Sequence, residues 1–199
     1  MPVTTQIQPV STDRLIYRSS ISFDTAENRI RSSIQKSSTS GWYTSQNPNP
    51  NSRPMDRESF EASINSQIGP HGFMYFNEYN HGSWLPFYAP PTSAVTTPDG
   101  ETKNLRCIRF ILGNPLIAIT MLRHDIDAGL SVPVEAYLVE EPETSVKIIW
   151  YQPSGLVAGY EGAKSELVDA ARALDAKLEA LIRWVLREEE DEGSFTEKL

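Results

Sequence analysis

Residues capable of proton transfer are concentrated in one aromatic stretch, GFMYFNEYNHGSWLPFY at 72–88. His81 lies beside Gly82 at the predicted end of a strand, and a histidine with a near-neutral pKa can act as a general acid or base. We expect Tyr79 or Tyr151 to assist it. The alternative is a turn histidine that hydrogen-bonds the backbone. Acid–base chemistry would require a cavity within reach of His81.

Aromatic side chains are numerous for a single sheet, which predicts an aromatic-lined pocket for a small organic molecule. Ordinary use in a core or an interface is the alternative explanation for most of them. The residues that we expect to contact such a ligand are Tyr75, Trp84, Asn114, Met121 and Trp150.

The sequence predicts neither a metal site nor a cofactor. Glu78 and His81 form Glu-x-x-His, but the aromatic alternation indicates a strand, where an odd spacing puts the two residues on opposite faces. His124, Asp125 and Asp127 lie at a predicted helix end, and adjacent residues rarely converge on one ion. The sequence has no Gly-x-Gly-x-x-Gly fingerprint, Walker loop, Gly-x-Ser-x-Gly elbow or paired cysteines.

The elements that must position these residues are organised around the stretch 105–130. Cys107–Leu112 is apolar on both faces except at one arginine, which predicts an interior strand. Gly113 permits a sharp turn, Asn114 is expected to cap the next helix, and Pro115 suits its first position. The start of that helix is also a potential anion site.

Periodicity predicts the remaining helices and strands. Alternation and capping signals predict strands over 14–22, 72–80, 132–140 and 145–151, an irregular strand to 88, a loop over 89–104, and helices over 24–37 (capped at Asp24) and 56–68. A long helix over about 161–190 is predicted from apolar residues at three- and four-residue steps, namely Leu167, Ala171, Leu174, Leu178, Leu181 and Val185. This stripe should pack on the sheet, and self-association is the alternative.

The predicted fold is α+β, with an antiparallel sheet of four or five strands and a long C-terminal helix packed across it. A chain of 199 residues fits one domain. We expect a flexible arm over 1–12, a single domain over 13–187 with a Ser/Asn/Pro-rich insertion at 38–54, and an acidic tail over 188–199.

Composition narrows the classes of partner. With 26 acidic and 18 basic residues, the net charge of −8 argues against a nucleic-acid partner, because binding a phosphate backbone requires clustered cations. The start of the chain has no signal-peptide pattern, and no apolar run is long enough to span a membrane. The single cysteine, Cys107, excludes an intramolecular disulfide. We therefore expect a cytoplasmic location.

The order of short motifs resembles the small α+β family called domain of unknown function 302. The resemblance covers roughly 12–160, interrupted by the insertion at 38–54. The matching residues are Gly72-Phe73, Asn80-His81, Leu112-Gly113-Asn114-Pro115, Met121, Leu130 with Pro133, Val139-Glu140, and Tyr151 with Pro153.

The resemblance implies a curved antiparallel sheet with helices on one side, similar in topology to half of a TATA-binding-protein saddle, and it implies dimers. It supplies no activity. The sequence departs from the family pattern at Asn80, where Asp is usual, and at Leu116, where a polar residue is usual. The insertion and the long C-terminal helix are read as additions.

The functional expectation is a cytoplasmic protein that binds a small, largely apolar organic molecule in an aromatic pocket, with acid–base chemistry at His81 as its potential reaction. The alternative is a non-catalytic homodimeric interaction module. If this alternative is right, a partner chain should cover a face of the sheet or of a helix.

Overall fold

A five-stranded antiparallel sheet forms the centre of the molecule. The computed structural model describes residues 2–34, 56–88, 93–97, 99–142 and 145–188. The strands of the sheet are β1 (Arg14–Ser19), β2 (Met74–Asn80), β5 (Cys107–Gly113), β6 (Val134–Glu140) and β7 (Val146–Tyr151), and a separate hairpin pairs β3 (Ala94–Thr96) with β4 (Thr102–Asn104). The strand order in the sheet is β1-β7-β6-β5-β2, so the predicted interior strand, β5, lies between two neighbours.

One face of the sheet packs into the hydrophobic core. Successive side chains of a strand point to opposite faces, and the alternate residues on this face are apolar. Phe110, Leu138 and Ile148 lie on this face and are fully buried. The helices are α1 (Phe23–Ser33), α2 (Arg57–Asn65), α3 (Pro115–Leu122), α4 (Pro153–Ala158) and α5 (Ser165–Leu186). Buried residues of α1, α3, α4 and α5 belong to this core, and α2 contacts α3. All six predicted apolar positions of α5 are buried, which is consistent with packing on its own sheet.

The opposite side of the sheet, which we call the open face, carries the side chains that lie between the core-facing ones along each strand. A lateral row crosses all five strands in register: Ile16, Ile149, Tyr137, Arg109 and Tyr79. Ile16 is 40% exposed and Tyr79 is 48% exposed. The open face is therefore partly apolar and in contact with solvent.

Several predicted boundaries are wrong because local signals were misread. Helix α1 is capped by Ser22, whose hydroxyl accepts from the Thr25 amide, and Asp24 lies in the first turn instead. Short 3₁₀ turns at His81–Ser83 and Leu85–Phe87 replace the irregular strand predicted to 88. Another 3₁₀ turn, Ile126–Ser131, follows α3. The loop predicted over 89–104 contains the β3–β4 hairpin, and α4 was not predicted.

Other predictions concern the ends of the chain and the insertion. The insertion at 38–54 and the acidic residues after Glu188 lie outside the described residues. The described part of the N-terminal arm, residues 2–12, has no helix or strand, and it ends where Ser11 donates its amide to the Gly159 carbonyl. Within the described residues, no helix is long and apolar enough to cross a membrane.

A charged cluster joins the hairpin, the sheet and α1. The Glu140 side chain is 3% exposed and accepts hydrogen bonds from Lys103 Nζ at 2.8 Å and from Arg106 Nε at 3.2 Å. Arg106 also pairs with Asp24 at 2.6 Å, and its guanidinium lies 4.2 Å from the ring centroid of Phe23. Burial raises the pKa of Glu140, but the bonds from Arg106 and Lys103 outweigh it, so the pKa lies below the usual value.

Candidate ligand-binding cavities

The turn between β5 and α3 is held by the side chain of Asn114. Its Oδ1 accepts from the Leu116 amide at 2.8 Å, which is the predicted helix cap, and its Nδ2 donates to the Gly72 carbonyl at 2.9 Å. Gly72 has φ +81°, a conformation that favours glycine. At Gly113 a Cβ would lie 3.1 Å from both Phe76 and Pro133, so a larger residue would require these side chains to move by a few tenths of an ångström.

A cavity of about 230 Å³, which we call the turn cavity, opens beside this turn. Fourteen residues line it, and Asn114 is the one with a polar side chain. The lining residues are Phe73, Phe76, Gly113, Asn114, Pro115, Ile117, Ala118, Met121, Leu122, Gly129, Val132, Pro133, Val134 and Leu174. Of the predicted ligand contacts, Asn114 and Met121 meet here.

A larger cleft of about 780 Å³, which we call the tyrosine cleft, lies on the other side of Pro133 and Val134, which line both spaces. Tyr151 and Tyr160 contribute its aromatic surface. The Tyr160 hydroxyl donates to Asp125 at 2.6 Å, and this hydrogen bond lowers the pKa of the carboxyl and raises that of the phenol.

Asp125 therefore has a structural partner, and its other carboxylate oxygen caps the following 3₁₀ turn through the Asp127 amide. In the described ranges, no group of three or more His, Cys, Asp or Glu side chains is arranged to hold a metal ion.

His81 lies in a different place, on the open face. Its ring centroid is 6.5 Å from Tyr79, 5.7 Å from Trp84 and 5.9 Å from Tyr137. Burial and a hydrogen bond with Cys107 raise the pKa of Tyr137. Sequence reasoning missed Tyr137 and Cys107 as neighbours of this cluster, because both come from strands distant in the chain.

The predicted site residues are thus divided among several environments. His81, Tyr79 and Trp84 come together, whereas Tyr151 lines the tyrosine cleft. Neither cavity, nor a third polar one of about 220 Å³ beside residues 11–13 and α4, is lined by His81. The acid–base role of His81 stays a prediction.

Trp150 and Tyr75 lie on the core side of the sheet. Trp150 is 2% exposed, with its ring centroid 6.1 Å from Tyr17, and its Nε1 has no hydrogen-bond partner among the described residues. Tyr75 packs against the core, and burial raises its pKa. Neither of them lines the three cavities.

Residues 100–183 match the family model DUF302, a domain of unknown function. The resemblance to DUF302 is confirmed. The matched segment includes the Gly113-Asn114-Pro115 turn and most of α5, so the long helix, predicted as an addition to the family pattern, falls largely inside it. Most of the turn cavity's lining comes from this segment, and Phe73 and Phe76 come from outside it.

The crystal structure of an uncharacterized conserved DUF302 protein from Bacillus stearothermophilus is similar to this chain, with a TM-score of 0.53 and 14% sequence identity. The similarity covers 87% of this chain and 98% of that chain. At this identity it shows the fold alone. No curated protein significantly matches the chain.

Proposed function

We propose that the protein binds a small, largely apolar organic molecule in the turn cavity. The observation that carries this proposal is a cavity of about 230 Å³ with an apolar lining and one polar side chain, Asn114. Apolar pockets with few polar groups are typical of small-molecule sites. An apolar cavity of about 150 Å³ is sufficient for benzene in another protein, so we expect a ligand built around one ring or a comparable hydrocarbon.

The proposal concerns binding without catalysis. The groups able to transfer protons at neutral pH lie elsewhere: His81 is on the open face and lines none of the three cavities. Among the described residues that line the turn cavity, the one polar side chain is a carboxamide, which does not titrate. The pocket therefore suits recognition of a ligand better than acid–base chemistry on it.

Filling the cavity should abolish binding. Ala118 lines it from α3, so Ala118→Phe places a ring in the space that the ligand would occupy. With toluene as the probe at about 100 times its Kd, the native protein should gain about 2.7 kcal/mol of stability, which corresponds to a rise in Tm of roughly 5–10 °C. Ala118→Phe should lose this rise, as measured by calorimetry.

The matched control is Ile119→Phe on the next position of α3, which is 50% exposed and does not line the cavity. This variant should keep the toluene-dependent rise in Tm. An equal rise in native protein and Ala118→Phe would place the ligand elsewhere and contradict the proposal.

A second function, the homodimeric interaction module, is favoured by the open face. Its lateral row leaves Ile16 and Tyr79 in solvent at the two edges of the sheet, and Tyr151 (49% exposed) lies on the same face of β7. A large exposed apolar patch often marks a protein interface. We propose that a second copy covers this face, and that the sheet has the half-saddle curvature implied by the family resemblance, which would offer the partner a concave surface.

A charge on the open face should weaken this dimer. Ile16→Lys would bring a third cation beside Arg14 and Arg18 on β1. In the dimer this lysine would either be buried or lie close to like charges, and both arrangements weaken association. Sedimentation equilibrium should then shift from twice 22.3 kDa towards 22.3 kDa. Thr96→Lys, on the separate hairpin, should leave the mass unchanged. A monomeric native protein at 100 µM would refute this second function.

A further inference from the structure

We infer that the ligand of the turn cavity is uncharged and carries at most one neutral polar group. This inference rests on the proposed function and adds the class of ligand to it. The first observation is that none of the fourteen lining residues is ionisable. A buried ion without a counter-charge is strongly disfavoured, because it loses its hydration and gains no partner.

The start of α3 does not alter this conclusion, although a helix N-terminus is often an anion site. Pro115 has no N–H, and the Leu116 amide donates to Asn114 Oδ1 at 2.8 Å. The amides of Ile117 and Ala118 both donate to the Asn114 carbonyl, at 3.0 and 2.9 Å. The backbone donors of the first turn are therefore already engaged, and none is left to bind a carboxylate or phosphate.

Asn114 has some remaining capacity for a neutral group. A carboxamide has two N–H hydrogens and two acceptor lone pairs. The Gly72 carbonyl takes one hydrogen and the Leu116 amide takes one lone pair. One donor and one acceptor are left at the edge of an otherwise apolar cavity. This arrangement fits one hydroxyl or carbonyl group on a hydrocarbon ligand.

The test compares four probes of nearly equal size: toluene, benzyl alcohol, benzoate and benzylammonium. Methyl-¹³C methionine labelling reports binding through Met121, which lines the cavity. We expect toluene and benzyl alcohol to shift the Met121 signal in a saturable way. Benzoate and benzylammonium should bind more than about tenfold more weakly, because the ionic group would lose part of its hydration and gain no partner.

The outcomes separate the inference from the proposal on which it rests. If either ion shifts Met121 with a Kd within tenfold of toluene, the inference is overturned and the cavity remains a binding site. If no probe shifts Met121, the proposed function fails and the inference fails with it. Ala118→Phe should abolish every shift, and Ala118→Leu provides a smaller cavity-filling change if the phenylalanine variant does not fold.

Discussion

Replacing Arg106 by alanine is expected to lower the free energy of unfolding by about 1.5–3 kcal/mol. The reason is that Glu140 would stay buried, with a side chain 3% exposed, after losing the guanidinium that contributes two of its hydrogen bonds. Lys103 alone would remain as a cation beside it, and the contact of Arg106 with the Phe23 ring would also disappear. Urea unfolding of the variant and the native protein measures the difference.

Arg109→Ala is the matched control, because its partner Glu135 is 44% exposed. Exposed ion pairs contribute about 0–1 kcal/mol, so this variant should unfold almost like the native protein. The double variant Arg106→Met with Glu140→Leu should recover most of the loss, since it removes the buried charge as well. Equal destabilisation of Arg106→Ala and Arg109→Ala would contradict the role given to Glu140.

The same cluster predicts a pH dependence. The pKa of Glu140 lies below its usual value, so its stabilising contribution is complete above the unfolded-state pKa of about 4.3 and is lost as the pH falls through the folded-state pKa. In Arg106→Ala the burial of Glu140 stays, but the hydrogen bonds and the charge of the guanidinium are lost, so the pKa of Glu140 should rise. The destabilisation of this variant should therefore be largest near neutral pH and shrink in acid.

Asn114→Ala should cost about 2–4 kcal/mol of stability. The loss of the helix cap contributes about 1 kcal/mol, and the Gly72 carbonyl left without its donor contributes about 1–3 kcal/mol. The bond to Gly72 also fixes the start of the segment that brings Phe73 and Phe76 to the turn cavity. The variant should therefore lose part of the toluene-dependent rise in Tm, which calorimetry measures together with stability.

Asn114→Ser separates the two roles of this side chain. Serine keeps an oxygen that can cap the helix, but it is too short to reach Gly72. This variant should therefore recover only the cap contribution. If Asn114→Ser were as stable as the native protein, the hydrogen bond to Gly72 would contribute nothing measurable.

The sheet and the long helix could be predicted from the sequence because their signals are local. Alternation identifies the strands, and the stripe of α5 follows from residues three and four apart such as Leu174 and Leu178. The capping role of Asn114 follows from the pair Asn114-Pro115 alone. The segments Gly72-Phe73 and Gly113-Asn114-Pro115, both noticed in the sequence, meet at the turn cavity, so this part of the cavity had a signal in the sequence.

The division of the predicted site residues depends on contacts between distant segments. Trp150 shares its face of β7 with the buried residue Ile148, so alternation already indicated that it belongs to the core. The neighbours of His81 could not be predicted in this way. Tyr137 reaches it only because β5 pairs with both β2 and β6, and strand order is not contained in local periodicity.

The position of β1 has a consequence for biosynthesis. β1 is made before the other strands of the sheet, but among the described strands it is an edge strand whose one partner is β7, and the residues of β7 follow more than 120 positions later. At about 5–20 residues per second, the ribosome needs roughly 6–25 s to supply that partner. During this time β1 and the apolar face of α1 are present in the nascent chain without the strand and helix that cover them. A chaperone that shields the emerging N-terminal segment would act during this interval.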